Sequence, residues 1–200
     1  MDEGNEMERN LEPVTPEALY ISGLTRLFGN EALAEAVKGG AEKAEGKTTK
    51  DFARLGQWLL TVTDAAGADG LSLEAGREAF DLLLRDHGEE IGLQDTELRM
   101  LPMRRRARKG FEVLAAWFAA AWGWESSVTL QTATLSFELQ SAGGLAGQEL
   151  QHPFCHFVEG LLQGLLFWAS GGRYYEVKSA GLPDSGRPVC QFAFSNTPID

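Results

Sequence analysis

The chain has 200 residues, 44% hydrophobic and 24% charged, with 29 acidic side chains against 18 basic ones and a net charge of −11. That length can bury a core without covalent staples, and the acidic balance excludes general nucleic-acid binding, which draws its affinity from phosphate neutralisation. Two cysteines make no disulfide framework, and the most apolar stretches fall short of the roughly 20 residues a membrane span needs, so a reducing, cytoplasmic setting is the expectation.

Residues 1–14 are acidic and poor in large apolar side chains, and read as a disordered tail before one α+β domain over 15–200. Thr15-Pro16-Glu17 is a helix start signal, and Leu19, Leu24, Leu27, Leu33 and Val37 continue it to the glycines at 39–40, with Gly29-Asn30 as a point where it can break. A second helix follows from Thr48-Thr49, with Phe52, Leu55 and Leu59 on one face. A third starts at Ser72, its cap, and stops at Gly88 or Gly92, leaving His87 as a helix-end residue. The fourth runs from Met103 to Trp122, where Phe111, Leu114, Trp117, Phe118 and Ala121 recur at helical spacing. Its basic block, Arg104 to Lys109, reads as a solvated turn.

The helical part spans 15–123, and the pattern then changes to alternation over 124–196. Val128 and Leu130 share one parity, whereas Leu135, Phe137 and Leu139 share the other, so a bulge or tight turn is predicted near Gln131-Thr132. A helix from His152 to Gly172 comes next, then a hairpin of "RYYEVKSA" and "PVCQFAFS" with a long loop. Helices packed on a small antiparallel sheet, with one helix inserted between strand pairs, define the α+β class.

The inserted helix is apolar over one broad arc, Val158, Leu161, Leu162, Leu165, Leu166, Trp168 and Ala169. Gly160 and Gly164 form a flank where another backbone can approach, and His156, Glu159 and Gln163 make a narrow polar strip. Cys155 sits on the border of that strip, a place more often used for packing than for chemistry. If hairpin and helix pack together, Cys155, Glu176 and Cys190 can meet.

From about Ser72 onward, and most specifically from Pro153 to Phe194, this order of features resembles the 4-vinyl-reductase-type (4VR) domain. The resemblance rests on Cys155, "GLLQG" at Gly160 to Gly164, Glu176 and "GRPVCQF" at Gly186 to Phe192, supported by "AGREAF" and the helix ending in "WGW". It implies the fold of TRAPP trafficking-complex subunits, related in shape to haem-type nitric-oxide-sensing domains. It also implies a zinc site, with Cys155, Glu176 and Cys190 as ligands. Ser179 stands where the family has a further cysteine, so a zinc ion would need His152 or His156 to complete the set of four.

Three functions follow. The first is a non-catalytic module binding a small hydrophobic or aromatic molecule, tetrapyrrole-related through the resemblance, with Trp117, Phe118, Trp122, Phe137, Phe154 and Trp168 as its wall. Each of those aromatics serves equally well as core. The second is a homodimeric adaptor using the Ala-rich face of Met103 to Trp122 and the Gly160/Gly164 flank. The third, a vinyl reductase, lacks a Gly-rich dinucleotide loop and any iron–sulfur pattern and would borrow its electrons from a partner. No Gly-x-Ser-x-Gly elbow marks a nucleophile.

Overall fold

The computed structural model describes residues 14–29, 49–123, 125–130, 134–140, 151–180 and 189–199. Most of the acidic tail, the hairpin loop, Trp124 and the side chains of Phe52, Trp122, His152 and Ser179 lie outside the described residues.

Helix α1, Pro16–Phe28, begins where Thr15 accepts the Ala18 N–H and ends at Gly29, whose φ of 80° only glycine adopts freely. Helix α2 covers Thr49–Val62 and buries Leu55 and Leu59. Helix α3, Ala65–His87, starts a full two turns earlier than the sequence suggests, because Asp64 caps it through the Gly67 N–H. Ser72 is therefore no cap. It is buried mid-helix, donating to the Ala68 carbonyl while the Tyr20 hydroxyl lies 2.7 Å away. A short helix α4, Thr96–Met100, leads to α5, Met103–Trp122, which stops at the left-handed Gly123.

Strands β1, Glu125–Leu130, and β2, Thr134–Gln140, pair antiparallel with Leu130 opposite Leu135, so the parity slip marks the passage between two strands. Helix α6, Gln151–Ser170, separates them from β3, Tyr175–Ala180, and β4, Val189–Pro198, and the sheet order is β1-β2-β4-β3. The α+β expectation, with one helix between strand pairs, holds.

Alternation decides which face of the sheet is buried. Leu135, Phe137 and Leu139 on β2 lie opposite Phe194, Phe192 and Cys190 on β4, and all six are buried. Phe111 and Phe118 of α5 close on this face, with Phe111 5.0 Å from Phe194 and Phe118 5.9 Å from Phe137, ring centre to ring centre. The other face is polar: Gln191 donates to Glu138 across the strands at 2.9 Å.

Behind the sheet, α6 is sandwiched between α5 and α3, and α3 in turn carries α1. Glycines set these distances. A Cβ on Gly160 would overlap the Leu73 carbonyl oxygen, one on Gly76 would overlap that of Phe157, and one on Gly23 would overlap that of Ala75. The glycine flank of α6 is thus used inside the chain, against α3, and offers no dimer face.

Candidate functional site

The two cysteines do meet, but sulfur to sulfur. Cys155 in the first turns of α6 and Cys190 at the start of β4 form a disulfide, with Cα atoms 5.6 Å apart. Glu176 does not join them. Its neighbour Val177 pairs with Phe194, four residues along β4 from Cys190, about 13 Å at the usual ~3.3 Å per residue. Glu176 instead marks an irregularity of the β3–β4 ladder, between Tyr175 and Val177. With both thiolates spent on each other and the carboxylate at the far end of the hairpin, these three residues are not assembled around zinc. Among the described residues no group of three or more His, Cys, Asp and Glu side chains is placed to hold a metal ion.

The polar strip of α6 is a hydrogen-bonded seam against α3. His156 Nδ1 lies 3.3 Å from Glu159 and its Nε2 3.5 Å from Asp69. Gln163 donates to Glu159, and its carbonyl accepts from the Arg77 guanidinium, which also pairs with Glu74. The Glu159 hydrogen bond holds the imidazole above its ordinary range, with Asp69 adding to it against the cost of burial. A raised folded-state value means the stability it brings is full below about pH 6.5, the unfolded imidazole value. That stability is lost as pH rises through the folded value. Unfolding titrations should therefore show a loss of stability as pH rises past about 6.5 that is flattened in His156→Gln; an unchanged pH slope would refute the assignment.

A cavity of about 380 Å³ opens between Val14 just ahead of α1, the end of α3 with the turn that follows it, and helix α5. Val14, Ile91, Val113 and Trp117 give it an apolar wall, Ala116, Ala120 and Ala121 keep that wall open, and His87 and Glu90 supply the polar groups. The His87 Nδ1 lies 3.2 Å from a Glu90 carboxylate oxygen. Ala116, Ala120 and Glu90 are exposed, so one rim faces solvent. Small-molecule sites typically span about 300–1,000 Å³ with a few placed polar groups in an apolar wall.

Of the six aromatics expected to line a ligand site, Trp117 alone lies on this wall among those whose side chains are described. Phe118, Phe137 and Phe154 are buried in the core, and Trp168 is half-buried against it. The sequence pattern missed His87 and Glu90. Their i, i+3 spacing at a helix end was the available signal.

The fold these elements build is that of H-NOX domains. A mutant of the T. tengcongensis H-NOX superposes with a TM-score of 0.61 at 12% identity, covering 92% of this chain and 97% of that one. The Fe(II) unliganded H-NOX protein from K. algicida gives 0.57 at 15% identity, with 92% and 98% covered. An oxygen-binding H-NOX domain related to soluble guanylate cyclases, in its oxygen complex, gives 0.57 at 12%, with 91% and 94% covered. No family model matches the chain, and no curated protein does. These neighbours overturn the resemblance to the 4VR domain and the TRAPP-subunit fold. The features behind that resemblance have local causes here: Gly160 makes room for α3, and Cys155 and Cys190 join helix to strand.

No helix among the described residues is long and apolar enough to cross a membrane.

Proposed function

We propose that this chain is a non-catalytic binding module, a sensor or carrier, whose cavity between α1, α3 and α5 takes a small hydrophobic, aromatic ligand of the tetrapyrrole class. The observation that carries the reading is the cavity itself: an apolar wall with one indole, Trp117, and one histidine–carboxylate pair, between helices of an H-NOX fold. One solved neighbour is described through its haem redox potential and porphyrin distortion.

The donor set fits such a group. Haem iron takes an imidazole, thiolate, thioether or phenolate ligand, and His87 brings an imidazole to the wall. A bound metallo-tetrapyrrole supplies a coordination position for a small gas. This chain's own residues supply the rest: Val113, Ile91 and Trp117 exclude water from the apolar face, and the solvent-facing rim leaves charged substituents hydrated.

Titration with metal-free protoporphyrin IX, read by porphyrin fluorescence, tests the cavity. Ala116→Phe and Ala120→Phe fill it from residues outside the core and should each weaken binding about tenfold, roughly 1.4 kcal/mol. Equal affinity in both filled variants would place the ligand elsewhere and sink the reading.

A further inference from the structure

We propose that residues 1–13 are an autoinhibitory segment, held across the rim of this cavity by the basic side of α5 and displaced by the ligand; this rests on the binding reading above. Val14 is part of the cavity wall, so the chain that precedes it starts at the cavity itself. That stretch, MDEGNEMERNLEP, carries five carboxylates, Asp2, Glu3, Glu6, Glu8 and Glu12, against Arg9 alone. Met7 and Leu11 are its large apolar side chains.

Helix α5 offers the complementary charge beside the same wall. Arg105, Lys109 and Val113 follow one another at four-residue spacing, so they lie along one side of the helix. Lys109 stands about 6 Å, and Arg105 about 12 Å, along the axis from Val113 in the wall. Both cations are exposed. Glu112 is shared between Arg108 at 3.0 Å and Lys109 at 3.5 Å, and among the described residues no carboxylate pairs with Arg104 or Arg105.

This basic turn is an unbalanced patch on a chain of net charge −11. A free acidic partner is repelled by the rest of that surface, whereas a tethered acidic segment meets the patch at an effective concentration on the order of millimolar. Leu11 needs at most ~10 Å of extended chain from Val14, and Glu8 at most ~20 Å, so the apolar wall and both cations are within reach. Ala116 and Ala120 form an exposed rim with no bulk to obstruct a segment crossing it.

The test uses the full chain and two readouts. Carbodiimide crosslinking of the ligand-free protein should join Glu6, Glu8 or Glu12 to Lys109 within the monomer, mapped by peptide mass spectrometry. Salt at about 1 M, with a screening length of about 3 Å, should abolish that link, and metal-free protoporphyrin IX should compete with it. Neutralising the three carboxylates together (Glu6→Gln, Glu8→Gln, Glu12→Gln) should tighten porphyrin binding about tenfold, as expected if the segment leaves about a tenth of the cavities open. Arg105→Gln with Lys109→Gln should tighten it too. Loss of two cations disfavours an anionic porphyrin on charge alone, so tighter binding there reports release of the segment. Weaker binding in that variant would overturn the proposal, as would links confined to dimers or absent from Lys109. If porphyrin binds wild type and every variant alike, the cavity reading survives and this one falls. If the link forms yet no variant binds porphyrin, the cavity reading fails and takes the autoinhibition with it.

Discussion

Gly160→Ala should destabilise the protein by about 3 kcal/mol or more, near the upper end for inserting a methyl into a filled core, and lower its thermal midpoint by roughly 6–12 °C for a chain of this size. The new Cβ would overlap the Leu73 carbonyl oxygen and crowd the Gly76 Cα at 2.9 Å and the Arg77 nitrogen at 3.0 Å. Backbone cannot rotate out of the way as a side chain can. Alanine's better helix propensity returns only about 1 kcal/mol. Gly76→Ala meets the same crossing from the other side, at the Phe157 carbonyl. Gly70 on the exposed face of α3 is the control, because nothing lies within 4 Å of a Cβ there. Gly70→Ala should therefore stabilise, by about 0.5–1 kcal/mol. Denaturant melts of the three variants decide the matter: equal small effects at Gly160 and Gly70 would mean that the helices do not cross at backbone contact.

Breaking the Cys155–Cys190 bridge should cost about 3–4 kcal/mol, the loop-closure entropy for its separation of 35 residues. The bridge ties α6 to the second residue of β4, so it restricts the unfolded chain across the whole hairpin connection. Cys155→Ser, or wild type with a dithiol reductant, should shift the denaturation midpoint while keeping the native circular dichroism. Cys190 is only 8% exposed, so reduction should be slow until the fold opens. Thiol counting on the denatured, unreduced chain gives the direct check. Zero reactive thiols support the bridge; two would refute it.

Much of the architecture was legible in the sequence, and the reasons are local. Met103 to Trp122 carries its apolar residues at helical spacing and ends at Gly123, so its bounds could be read directly. The parity change between Leu130 and Leu135 separated two strands because one face of the sheet is buried. Helix α3 was read two turns short: Gly67 and Gly70 weaken the helical pattern, and the Asp64 cap lies beyond them. Two cysteines make no disulfide framework and suggested a reducing setting, yet the fold brings Cys155 and Cys190 within 5.6 Å at Cα and joins them. The candidate site was the least legible part. Aromatic residues advertise themselves in a sequence, but burial sent Phe118, Phe137 and Phe154 to the core. The cavity wall is made largely of alanine and valine, which carry no functional signature, and His87 gained meaning only when α5 closed over it.

The exposed Glu176 has a consequence for self-association. Strand β3 is an edge of the sheet, and its outer backbone groups are a template on which another chain's strand can add. The extra residues behind the shift between Tyr175 and Val177 belong to β4, between Phe194 and Pro198, so β3 itself runs on as an edge. An exposed carboxylate stands on that edge. An incoming strand would have to desolvate this charge, and an edge carboxylate of this kind disfavours edge-to-edge pairing.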